Sequence, residues 1–153
     1  MSDRDLLLRI LDDAYERKAW HGTNLRGSLR GVTPDAALWR PAPGRHNIWE
    51  LAVHCAYWKY TVRRKLTGEK RGSFPRKGSN WIAPGDDWQS DLRLLGDQHR
   101  ALHSAIDAAS AQQLRKLERL LYGVAAHDAY HTGQIQLIKR LRGRDGPRER
   151  SSL

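Results

Sequence analysis

Two histidines stand four residues apart in HDAYHTGQ, residues 127–134, inside a segment whose apolar spacing is helical. Positions i and i+4 of a helix lie one turn apart on one face, so both rings can reach a single cation, at roughly 2.0–2.1 Å if it is zinc. The stripe that carries them runs Leu120, Val124, His127, His131, Gln134, Ile138, Leu141, in alternating steps of four and three. An imidazole in such a stripe needs a hydrogen-bond acceptor or a metal ion, because a buried polar group without a partner is costly. His54 lies in a second helical segment, beside the seam Ile48, Leu51, Cys55, Trp58, Val62 and one turn before Trp58. It completes a three-imidazole set if the two helices face one another. A competing pair, His99 and His103, has the same spacing, but only His99 falls in an apolar stripe.

Three neutral histidines with no carboxylate leave a metal its full charge and leave coordination positions open, the pattern of catalytic rather than structural zinc. A cation held in this way lowers the pKa of a bound water and ionises a bound thiol. Imidazole suits zinc, nickel, iron and copper alike, so the donors do not choose among them; zinc or nickel is the favoured expectation and iron the next option. The surrounding candidates for substrate binding are Trp58, Tyr130, Gln134 and His21, the last in AWHGTNL, with His46 also near the mouth. Each has a plainer reading, as core filling for the aromatic residues, an interhelix amide for Gln134 and ordinary loop positions for His21 and His46. Asp128 points about 100° round the helix from His127, toward a surface or interhelix contact. Cys55, on its seam, reads as a small core residue rather than a nucleophile.

These side chains need helices to position them, and four can be read, with no strand candidate. The first starts near Asp3 as N-cap, runs through LLLRILDDAYERKAW, and extends with weaker pattern through Leu25 and Leu29. Pro34, Pro41, Pro43 and Gly44 then predict a turn-rich connection. Asn47 with Glu50 three residues on resembles a capping box for the second helix, which ends by Gly68. Residues 69–86 form a long loop of a kind that is usually functional or mobile. Asp86 or Asp87 caps a third helix with the stripe Trp88, Leu92, Leu95, His99, Leu102, Ile106. The fourth spans Ala111 or Leu114 to Leu141, with Gly123 as a place where it can break. The expected fold is all-α, a four-helix bundle with long crossover loops, formed by residues 1–142 as one domain. Residues 143–153, rich in Gly, Pro and charge, read as a basic disordered tail.

The net charge of +10 invites a nucleic-acid reading, so its distribution matters. Residues 63–77 carry seven basic side chains against Glu69, and residues 139–150 carry six against Asp145 and Glu149. Elsewhere the two signs balance, with 14 of each. That is not the basic stripe of a groove reader, and nucleic acid is not the expected partner. The first run could instead receive the carboxylates of a thiol cofactor. No segment approaches the ~20 consecutive apolar residues of a membrane span, and the charged N-terminus is unlike a signal peptide. A single cysteine excludes an internal disulfide framework, and a cytoplasmic location is expected.

The segments WRPAPGRHNIWELAVHCAYWKY and LYGVAAHDAYHTGQIQLIKRL resemble the two signature regions of the DinB/YfiT-like family of metalloenzymes. The resemblance extends over about residues 3–142. It implies a four-helix bundle of that family's topology and a divalent metal on His54, His127 and His131. It also implies a homodimer acting on a small molecule. The activity it points to is transfer or isomerisation dependent on a low-molecular-weight thiol. A metal-dependent hydrolase and a non-catalytic metal- or nucleic-acid-binding stress protein are the alternatives.

Overall fold

The computed structural model describes residues 1–145 of the 153-residue chain. Its helices are α1 Asp3–Tyr15, α2 Leu25–Leu29, α3 Pro34–Leu38, α4 Ile48–Thr67, α5 Trp88–Ala108 and α6 Ala111–Asp145. Among the described residues there is no strand beyond one isolated bridge, Ala19 to Gly22. No described helix is long and apolar enough to cross a membrane.

Local chemistry sets most of the boundaries. The N-cap of α1 is Ser2, not Asp3: its hydroxyl accepts from the Asp5 amide while the Asp5 carboxylate accepts from the Ser2 amide. This reciprocal box satisfies two otherwise orphaned donors, and Asp3 contributes charge to the first turn. The weaker pattern through Leu25 and Leu29 is no extension of α1, which stops at Tyr15. Those residues belong to α2, capped by Asn24, after a turn in which Gly22 adopts φ 106°. The proline-rich connection holds one short helix, because Thr33 caps α3 and Pro34 sits where its missing N–H costs nothing. The Asn47–Glu50 capping box starts α4 as expected, and Gly68 ends it in the left-handed region. Asp87 caps α5. α6 passes Gly123 unbroken and continues to Asp145, so residues 143–145 are helical rather than part of a tail. The rest of the expected tail, residues 146–153, lies outside the described residues.

α4 packs between α5 and α6, and α1 packs against the same two, so the long helices close in the cyclic order α1, α6, α4, α5. α2 braces α6 and α3 braces α4. Two apolar clusters fill the interior. One includes Ile48, Leu51, Cys55, Trp88, Leu95 and Ile135, and the other Leu11, Val62, Leu102, Ile106, Leu121 and Val124. Between the two clusters lie buried polar residues, Lys59 on α4, His99 on α5 and Asp128 on α6, with the buried Asp12 of α1 facing His99. The buried face of α6 takes in Val124, His131 and Ile138 of the expected stripe and extends about one position round from it through Leu121, Ala125, Asp128 and Ile135, which leaves Leu120, His127 and Gln134 half-buried.

Candidate metal centre

α4 supplies His54 and α6 supplies His127 and His131, and the packing of these two neighbouring helices brings the three rings together. The Nε2 atom of His127 lies 3.0 Å from that of His54 and 3.0 Å from that of His131. The other ring nitrogens decide what those contacts are. His54 Nδ1 lies 2.9 Å from the carbonyl oxygen of Asn80, which can only accept, so Nδ1 carries the proton. His131 Nδ1 likewise donates to Gln134 Oε1 at 2.6 Å. Both rings then turn an unprotonated Nε2 toward His127, which has one Nε2 proton at most and cannot satisfy two acceptors. His127 Nδ1 is itself buried without a partner.

A divalent cation would resolve this arrangement. In a tetrahedral site with zinc–nitrogen bonds of roughly 2.0–2.1 Å, ligand nitrogens stand on the order of 3.3 Å apart, close to the observed separations. The Asn80 and Gln134 oxygens would then serve as the outer partners that fix ligand tautomer and ring orientation. Burial holds His54 down at about 4, with the Asn80 bond opposing and His131 and His46 adding repulsion. Burial, then His131 and His54, take His127 to about 3, and burial lowers His131 as well. All three are therefore neutral donors at ordinary pH. The residues present fit a metal and are compatible with a metal-binding protein.

A wall the sequence did not reveal covers His54. Trp81, from the loop between α4 and α5, stacks on His54 with centroids 3.8 Å apart and planes within 7°, and on His46 at 3.5 Å. Asn80 beside it holds φ 60°, a left-handed conformation that asparagine tolerates better than most residues. This turn aims its carbonyl at His54 and its side-chain oxygen at Trp58 Nε1, 3.1 Å away. Asp91 in the first turn of α5 anchors the same loop, accepting from Arg76, from the Gly85 amide at 2.7 Å and from Trp49 Nε1 at 2.8 Å. The only signal for Asn80 and Trp81 in the sequence was an indole in a loop rich in glycine and basic residues, which spacing rules do not read.

The other sequence candidates divide. Trp58 sits edge-on to both His54 and His127. Tyr130 is exposed at the rim, edge-on to His131, and its hydroxyl accepts from Gln134 Nε2 at 3.4 Å. His21 is exposed in the segment between α1 and α2, and it makes no hydrogen bond or ring contact with the cluster among the described residues. Cys55 is fully buried and its thiol is pushed up by that burial, which leaves it inert. Asp128 makes an interhelix contact, pairing with the equally enclosed Lys59. The competing pair goes elsewhere. His99 stacks on Tyr15 at 4.0 Å, and its Nδ1 accepts from the Lys59 ammonium at 3.5 Å, so Nε2 keeps the proton and faces Asp12 Oδ1 at 3.4 Å. His103 lies 3.6 Å from the same carboxylate.

A family model described as the DinB superfamily matches residues 18–135, which include His54, His127 and His131. Neither a curated protein nor a solved structure matches the chain.

Proposed function

The chain belongs to the DinB superfamily, and from that premise we propose that it is a metal-dependent enzyme in which His54, His127 and His131 hold a divalent ion beside which a low-molecular-weight thiol attacks a small electrophilic substrate. The observation that carries the reading is the convergence of three Nε2 atoms, two with lone pairs committed inward by Asn80 and Gln134. When bound, the ion would supply the positive charge that ionises a thiol near neutral pH.

The chain's own residues do the rest. Asn80 and Gln134 keep the Nδ1 protons of their histidines in place, so the donor atoms need no rearrangement. Trp81 and Trp58 exclude water from the His54 side. Tyr130 and the Gln134 amide, at the rim, would orient the electrophile. The three-nitrogen cluster includes no carboxylate to act as general base. A thiol, with an unperturbed pKa of roughly 8.5, would need no such base once a cation lay beside it. In the reaction the carbon–sulfur bond forms as the bond from that carbon to its leaving group breaks, and the thiol proton passes to solvent.

Elemental analysis of tag-free protein tests the centre. Wild type is expected to carry close to one zinc or nickel per chain, and His54→Ala and His131→Ala to lose it. Equal metal in all three proteins, or none in any, overturns the assignment. With the metallated protein, consumption of 1-chloro-2,4-dinitrobenzene by a small thiol, abolished in His131→Ala, supports thiol transfer; ester hydrolysis without any thiol would favour the hydrolytic alternative.

A further inference from the structure

A second cavity lies on another face of α4. It has a volume of about 460 Å³ and is walled by Tyr57, Tyr60, Phe74, Arg71, Arg76 and Lys77, with the rest of its lining from the same loop, Gly72, Pro75, Gly78 and Ser79. That volume falls in the range of small-molecule sites, which combine apolar walls with a few placed polar groups. Its floor is aromatic: Phe74 meets Tyr57 edge-on at 5.5 Å and Tyr60 at 5.3 Å. The Tyr60 hydroxyl is already engaged by the Gly72 amide at 3.2 Å, which pins the loop over the rings.

The charges around the floor are not equivalent. Glu69, the acidic residue of this basic run, is committed to Arg63 at 2.6 Å and to Ser73. Arg76 is committed to Asp91, yet its Nε is buried and has no acceptor. Arg71 and Lys77 line the cavity and join no ion pair among the described residues. The positive excess that the sequence concentrates in residues 63–77 is thus brought to the edge of a ring-lined cavity, with its one acid neutralised.

We propose that this cavity binds a small aromatic acid, a planar ring bearing a carboxylate or phosphate, with the ring on Phe74 and Tyr57 and the acid group on Arg71 and Lys77. The aromatic floor offers stacking and edge contacts, and the unpaired cations offer charge-assisted hydrogen bonds that a neutral ring cannot use. The site is separate from the metal centre, although Ser79 in its wall immediately precedes Asn80.

Calorimetric titration of the full chain, with zinc and without, against 1-naphthoate, adenosine 5′-monophosphate, the neutral 1-naphthalenemethanol and inorganic phosphate tests this. At least one aromatic acid is expected to bind, shifting the Gly72 and Gly78 amide resonances, with the neutral ring and free phosphate at least about 10-fold weaker, the equivalent of one charge-assisted bond. The nucleotide and the carboxylate arms distinguish the two sources of such a ligand. Arg71→Gln and Lys77→Gln, whose side chains hold no structural partner, should each weaken binding by about 10-fold with circular dichroism unchanged. His131→Ala should bind as wild type, so a failure of the metal centre leaves this test intact. No binding of either acid, or binding indifferent to the Arg71→Gln/Lys77→Gln double variant, overturns the proposal.

Discussion

Lys59 and Asp128 are wholly enclosed between the two apolar clusters, and one carboxylate oxygen, Asp128 Oδ1, has no partner. Burial raises the Asp128 pKa, with Lys59 opposing it. A pair of this kind is costly to break from one side, because the remaining charge is stranded. Lys59→Met should therefore lose about 3–5 kcal/mol of stability in urea unfolding, while Lys59→Met with Asp128→Leu recovers most of it. Equal losses in the single and double variants would show that the pair itself, rather than the avoidance of a stranded charge, supplies the stability. Residue by residue, the sequence revealed what is chemically conspicuous. An imidazole inside an apolar stripe stands out, so His127 and His131 were legible, while His54, beside its seam, was singled out with them by the family resemblance. A lysine or aspartate one step off a stripe looks like any solvated charge, and the core face of α6 had to be seen about one position round before Asp128 became interior.

At the scale of elements, the loop of residues 69–87 carries the outer partner of His54 on a segment without regular structure of its own. Its order depends on Asp91, which gathers Arg76, Gly85 and Trp49. Asp91→Ala should speed tryptic cleavage after Arg76 or Lys77. It should also weaken zinc binding by about 10-fold, the usual effect of disturbing an outer partner, as read by competition with a chromophoric chelator. Unchanged zinc affinity with faster cleavage would mean that His54 holds its orientation without the loop. Both ends of α4 and the start of α5 were legible because capping side chains and a left-handed glycine mark them locally, whereas α1 stops at Tyr15 and α6 runs on to Asp145, short of and beyond their expected ends. α2 and α3, five residues each, were not, since one turn of helix is too short to show a period. The Trp81 wall depends on contacts distant in sequence, which local rules cannot see.

The whole molecule buries a set of imidazoles in neutral form. His99, like His54 and His127, is carried well below its ordinary 6.5, to about 3, by burial first and then by Lys59. Between about pH 3 and 6.5 the unfolded chain binds more protons than the folded one, so stability is level above 6.5 and falls as the pH drops through that window. Urea midpoints of the metal-free protein should be similar at pH 7 and 8 and clearly lower at pH 5, and His99→Gln should flatten part of the slope. A midpoint unchanged from pH 7 to 4.5 would contradict the buried neutral state. Fold class was legible from periodicity, whereas the split of the interior into two apolar clusters with a charged layer between them was not, because it depends on the relative heights of four helices.

The separation in sequence of the three proposed ligands has its own consequence. His54 and His127 are 73 residues apart, so an ion shared by them would fasten the middle of the chain to α6. Because the unfolded chain presents no assembled site, such an ion would favour the native state by mass action, and its binding energy would become part of the energy of folding. In a cell starved of that ion the protein would be cleared faster, and its abundance would follow the trace-element supply even before any catalysis was affected.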